Sequence, residues 1–123
     1  MNRLKIKIGK VFLREDRIVQ CDISEKIEEI GAAHIKEALE AVCKLKASKV
    51  PLLLKETVPH SISHEAQVEI ANTKIVNAMA ILAFSSVAAT VTSHLVSISK
   101  TPYPFRVFGR EEAAVKWLKL YLS

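Results

Sequence analysis

Glycine is scarce in this chain of 123 residues, occurring only as Gly9, Gly31 and Gly109. No two of them are close enough to form a loop that cradles phosphate, which sets aside the glycine-rich nucleotide-binding motifs. Cysteine occurs twice, as Cys21 and Cys43. Both lie in apolar-periodic segments without redox or zinc-motif spacing, so both read as small buried hydrophobes. The opening MNRLKIKIGK places charges where a secretory signal needs an apolar run, and the expected location is cytoplasmic. Charge itself is missing from residues 75–99, which contain no Asp, Glu, Lys or Arg. That stretch is long enough to span a bilayer, but Asn77, Ser85, Ser86, Thr90, Thr92, Ser93, His94, Ser97 and Ser99 make it too polar for one. It reads instead as a buried strand followed by a packed helix, with no transmembrane segment.

The chain is half hydrophobic and 25% charged, the composition of one globular domain with one core. The net charge of +5 and pI near 9.3 permit weak attraction to anions. The cations are spread along the chain, and their densest cluster, Arg3, Lys5, Lys7 and Lys10, alternates with Leu4, Ile6 and Ile8. That is a strand with one wet face. No nucleic-acid motif accompanies it, and no nucleic-acid partner is expected.

Hydrophobic periodicity orders the rest. Leu4, Ile6 and Ile8 fall on one parity and Val11 and Leu13 on the other, which predicts a bulge or kink at Gly9. Glu15-Asp16 then turns the chain into a returning strand, RIVQCDI. Ile35, Ala38, Leu39, Val42 and Leu45 recur at helical spacing. The preceding EKIEEIG reads either as an extra helical turn or as a loop. KVPLLL and NAMAILAF are continuous apolar runs, expected as neighbouring strands in the sheet centre. Between them Ser61 or Ser63 caps a helix carrying Glu65, Ala66, Ile70, Ala71 and Lys74. Val87, Val91, Leu95 and Ile98 form the stripe of a further helix. Pro102 and Pro104 stop that helix and deliver PFRVF as an edge strand. A last helix, GREEAAVKWLKLYL, buries Ala114, Val115, Leu118 and Leu122. The expected fold is a single α/β domain over residues 1–123, of order β-β-α-β-α-β-α-β-α. Its mixed sheet has four to five strands and is accompanied by about four helices.

The segments KVPLLLKETVPHSISHEAQVEIA, NAMAILAFSSVAATVTSHLVSISKTPYPFRVF and REEAAVKWL, in this order, resemble the STAS-like superfamily. That is the fold of bacterial anti-sigma-factor antagonists, and the nearest resemblance is to an uncharacterised bacterial STAS/CRAL-TRIO-like family. The resemblance covers residues 14–122. It implies a protein-interaction module in which a serine opening the helix after the central strand is phosphorylated by a partner kinase, and the new charge breaks a complex. Here that region reads His60-Ser61-Ile62-Ser63-His64-Glu65-Ala66. If Ile62 takes the apolar position before the usual Asp-Ser pair, Ser63 and His64 fall on that pair. A slip of one residue puts Ser63 on the serine instead. The acid of the pair is absent in either alignment.

His60 and His64 have i, i+4 spacing, but Ser61 stands where a zincin needs its glutamate, and no metal or other cofactor is expected. Ser61 or Ser63 can be paired with either histidine, yet no nucleophile elbow or orienting acid accompanies them. His34 and His94 read as hydrogen-bonded helix residues, Glu111-Glu112 as first-turn acids, and Trp117 as a cap on the core. The expectation is a non-enzymatic interaction or regulatory module. A small-molecule or lipid-binding module of CRAL-TRIO-like type is the alternative, and an enzyme comes third. The expected contact residues are Ser61, Ser63 and His64, together with Ala89, Thr92 and Val96 on a helix whose uncharged outer strip meets a second copy of the chain, a protein partner or an apolar ligand.

Overall fold

The opening apolar-basic run folds as two strands. In the computed structural model, which describes residues 3–46, 49–56, 61–83 and 103–122, β1 (Arg3–Ile6) and β2 (Gly9–Leu13) form an antiparallel hairpin in which Ile6 pairs with Gly9. Lys7 and Ile8 make the two-residue connection, and the parity switch at Gly9 marks this turn rather than a bulge within one strand. Gly9 has φ +156°, and a Cβ there would lie 1.7 Å from the Asp22 carbonyl oxygen. Only glycine lets the neighbouring backbone approach this closely. Ile8 is fully buried, so the turn is anchored by an apolar residue.

Glu15 and Asp16 then turn the chain as expected. The Arg14 amide donates to Ile18 O, and Asp16 Oδ1 accepts from the Ile18 amide. β3 (Val19–Ile23) pairs antiparallel with β2 and parallel with β5 (Val50–Glu56). β5 pairs parallel with β7 (Val76–Ala83), and β7 with β8 (Phe105–Phe108). The sheet order is β1-β2-β3-β5-β7-β8. KVPLLL and NAMAILAF are therefore adjacent central strands, and FRVF is an edge strand, as expected. The main sheet has six strands rather than four or five, because the opening run supplies two. Pro51 sits where the β5–β7 register shifts, a place that tolerates its missing donor.

EKIEEIG resolves into a loop ending in β4 (Glu29–Ile30), a two-residue strand parallel to β6 (Ser61–Ile62). Three α-helices lie among the described residues: α1 (Ala32–Leu45), α2 (His64–Asn72) and α3 (Glu111–Leu118). A 3-10 turn, Lys119–Tyr121, follows α3, so Leu122 lies beyond the final helix and is only half-buried. The expected helix of Val87, Val91, Leu95 and Ile98 lies outside the described residues.

The sheet separates two cores. On the side of α1 and α2, Val11, Val19, Cys21, Ile23, Leu52 and Ile81 meet Ala41 and Val42. On the other side, Ile18, Leu53, Ala78, Ala80 and Leu82 meet Ala114 and Leu118 of α3. This two-sided cover is why β5 and β7 read as continuous apolar runs. Each large side chain buried here contributes about 1.5–3 kcal/mol of transfer free energy. Ala78 and Ala80 are small enough to let α3 lie close to the strands. Half-buried Trp117 packs its ring 5.6 Å from Phe108 and 5.2 Å from Tyr121, closing that core as expected. Cys21 is buried, but Cys43 is exposed. The 100° step along α1 that points Val42 inward turns its neighbour to solvent.

Candidate functional site

The β4–β6 pairing places the beginnings of two helices side by side. Ile30 pairs with Ile62 in parallel register, and each isoleucine immediately precedes a helix cap: Gly31 for α1 and Ser63 for α2. The Ser63 amide donates to Ile30 O at 3.0 Å, which ties the two helix starts together. Lys36 Nζ lies 3.7 Å from Glu69 Oε1 further along. α1 and α2 therefore run in the same direction and present their positive dipole ends together. They do so beyond the carboxyl ends of the parallel strands, the usual location of sites in open α/β sheets.

Each cap is built locally. Ser63 Oγ accepts from the Ala66 amide at 3.1 Å, so of the two candidate serines it is Ser63 that caps α2. At α1 the Gly31 amide donates to His34 Nδ1 at 2.9 Å. His34 thus satisfies a backbone donor from the third helical position, the task a glutamate performs in a capping box. Ser61 lies in β6, opposite Glu29, and His64 is the exposed first residue of α2. The fold brings Ser61, Ser63 and His64 together at the N-terminus of α2. Ala89, Thr92, Val96 and His60 lie outside the described residues.

Beneath the helices the sheet leaves an apolar cavity of about 60 Å³, bounded by Cys21, Ile30, Ile62, Ile70 and Glu56 among others. That is about two waters' worth of space, well short of the ~300 Å³ at which small-molecule pockets begin. Burial, reinforced by Asp22, pushes the Cys21 thiol up to about 12, so it stays protonated and is a poor nucleophile. Buried Tyr103 donates its hydroxyl to Ile70 O at 2.8 Å, joining the approach to β8 to α2. Burial also raises the pKa of this phenol. No cluster of three His, Cys, Asp or Glu side chains able to hold a metal occurs among the described residues. None of the described helices is long and apolar enough to cross a membrane.

The paired helix starts are not visible in the sequence, because a two-residue strand has no period to read. The available signal is the repeated order of an isoleucine, then a cap residue, then a helix, at Ile30-Gly31 and Ile62-Ser63.

Comparison with solved structures places the fold. An uncharacterised protein of the DUF3478 family from Shewanella loihica PV-4, described as having a SpoIIAA-like fold, superposes with a TM-score of 0.56 at 13% identity, covering 95% of this chain and 90% of that one. This bears out the expected STAS-like fold, while the CRAL-TRIO-like part of the resemblance finds no counterpart. No curated protein matches the sequence. The family profile that does match spans residues 12–122, which takes in β3, β5, β7 and β8 of the mixed sheet and all three described helices, and the chain belongs to the family described as Domain of unknown function (DUF7793).

Proposed function

We propose that the protein is a non-enzymatic regulatory module of the SpoIIAA-like kind, and that it meets a protein partner through the paired helix N-termini around Ser63. The observation that carries this reading is the position of the Ser63 hydroxyl. It caps the helix that follows central strand β5, beside the N-terminus of α1. This reading is supported by the resemblance to anti-sigma-factor antagonists, which implies a regulatory serine at the start of that helix and, in one of its two alignments, puts Ser63 there. Phosphate on Ser63 would face two helix dipoles, which favour the added charge. The helix would then tighten while its surface gained negative charge, a switch that alters binding without unfolding the module.

The test compares wild type, Ser63→Ala and Ser63→Asp for binding to a partner identified by affinity capture from the native cell, with urea unfolding run in parallel. The aspartate variant is expected to keep its stability, since Asp also caps helices, and to change partner affinity at least about tenfold. Equal binding by all three proteins would refute the assignment.

A further inference from the structure

The net charge of the protein is concentrated in one place. Residues 1–14 hold five cations, Arg3, Lys5, Lys7, Lys10 and Arg14, and no acid, whereas residues 15–123 hold thirteen of each sign. The whole excess of +5 therefore belongs to the β1–β2 hairpin and its exit. The sheet register shows where it points. Cross-strand partners place Arg3, Phe12, Gln20 and Leu53 in one row and Lys5, Lys10, Asp22 and Lys55 in the next. These side chains lie on the side opposite α1 and α2. There α3 packs on β5, β7 and β8, and Arg3, Lys5 and Lys10 of the hairpin are exposed.

The two rows are settled to different degrees. Arg3 lies 4.7 Å over the Phe12 ring. Arg14 donates to Asp16 and to Gln20, and Gln20 donates to Asp22 at 2.7 Å. Lys55 is 2.8 Å from Glu111. Lys5 and Lys10, by contrast, are direct cross-strand partners of like charge, and neither forms an ion pair among the described residues. Directly opposed like charges destabilise a sheet. β1 is also the end of the sheet among the described residues, where no described strand lies beyond Lys5 in this row.

We infer that the outer edge of β1 receives an extended acidic segment of a partner protein, added as a further strand. A carboxylate beside Lys5 would turn the row into acid, Lys5, Lys10, Asp22, Lys55 and relieve the repulsion. The opposite face sets the second requirement, because Leu4 and Ile6 pack against the core under α1. The incoming segment therefore alternates acidic and apolar residues. Edge lysines ordinarily keep strands apart; here they reject neutral or basic strands and admit an acidic one. A second copy of β1 is a poor occupant, since pairing edge to edge would set Arg3 and Lys5 against their own kind. Nucleic acid is disfavoured because Arg3 already occupies the Phe12 ring on which a base would stack. A membrane is disfavoured because Ile8, the apolar residue at the hairpin tip, is buried. This edge is independent of Ser63.

The test is fluorescence anisotropy with a labelled peptide of alternating glutamate and valine. Wild type is expected to bind it, and K5E/K10E to bind about tenfold or more weakly. K116E/K119E, which reverses two cations on and just after α3, should bind as wild type does. Lys5→Gln, a milder change that keeps the strand, should give an intermediate loss. A peptide N-methylated on every amide should not bind, because it has no donor to give the ladder. The inference is overturned if wild type fails to bind, if K116E/K119E weakens binding as much as K5E/K10E, or if the N-methylated peptide binds equally. Tighter binding of a single-stranded DNA oligomer or of phosphatidylserine vesicles than of the peptide would also overturn it.

Discussion

Replacing Gly9 with alanine should be among the most damaging single-methyl additions this chain can receive. The new Cβ would stand 1.7 Å from the Asp22 carbonyl oxygen, 2.9 Å from its carbonyl carbon and 3.3 Å from Ile23 Cα. All three are backbone atoms, so no side chain can swing aside. β2 and β3 would have to separate by roughly 1.5 Å to restore ordinary contact, which breaks the ladder where Gly9 faces Ile23. Losing one or two hydrogen bonds there costs about 0.5–3 kcal/mol. Holding alanine at φ +156° adds about 1–3 kcal/mol. The sum, about 1.5–6 kcal/mol, is a large fraction of the ~5–15 kcal/mol by which domains are stable. Urea unfolding followed by circular dichroism should show a midpoint lower by roughly 1–3 M. Gly109→Ala is the control, since its Cβ would meet nothing within 4 Å. If the Gly9 variant unfolds within about 0.5 M of wild type, the close approach of β2 to β3 is wrong.

Thiol labelling should separate the two cysteines: Cys43 is exposed and should react in the native protein, whereas buried Cys21 should react only after denaturation. Two reactive thiols in the native state would contradict the packing of β3. Tyr103→Phe should lower stability by about 1–2 kcal/mol in denaturant titration, because Ile70 O loses its phenolic donor; an unchanged midpoint would remove that tie. The Glu111 carboxyl is held below its ordinary value chiefly by the hydrogen bond from Lys55. Its contribution is therefore fully present above the ordinary glutamate value of about 4.3 and is lost as pH falls through the lowered one. Glu111→Gln should be less stable than wild type by up to about 1 kcal/mol near pH 7, given its partial exposure, and the two proteins should converge in acid. A gap that persists at low pH would rule out the ion pair as its cause.

What the sequence made legible depended on how much of each element was buried. Val50–Glu56 and Val76–Ala83 are covered on both sides, so their apolar runs identify them and their adjacency follows. A serine cap, at Ser61 or Ser63, is legible because a hydroxyl before Glu65 and Ala66 is a local signal that needs no tertiary information, and the hydrogen bond from the Ala66 amide decides for Ser63. The hairpin turn is hidden for a physical reason. A two-residue turn usually advertises itself through residues of positive φ such as Asn-Gly, yet Lys7 and Ile8 both lack positive φ, and Ile8 is buried in the core. Its hydrophobicity continues the alternation of the strand and conceals the turn. β4 and β6 stay hidden because their pairing joins residues about thirty apart through two-residue segments whose composition does not demand a strand.

The antiparallel run β1-β2-β3 has a consequence during synthesis. It is the first part of the sheet to leave the ribosome, and its pairings are local, so it can form before the rest of the chain exists. Its partner β5 comes only after α1 has been made, because a parallel neighbour requires a crossover. Until then one side of the nascent meander exposes Val11, Val19, Cys21 and Ile23 with nothing to cover them. The other side and the tip carry Arg3, Lys5, Lys7 and Lys10. These cations make each nascent chain repel its neighbours on the same polysome during the interval when its apolar side is bare. Neutralising Lys5 and Lys10 should therefore lower soluble yield even where the purified variant is as stable as wild type.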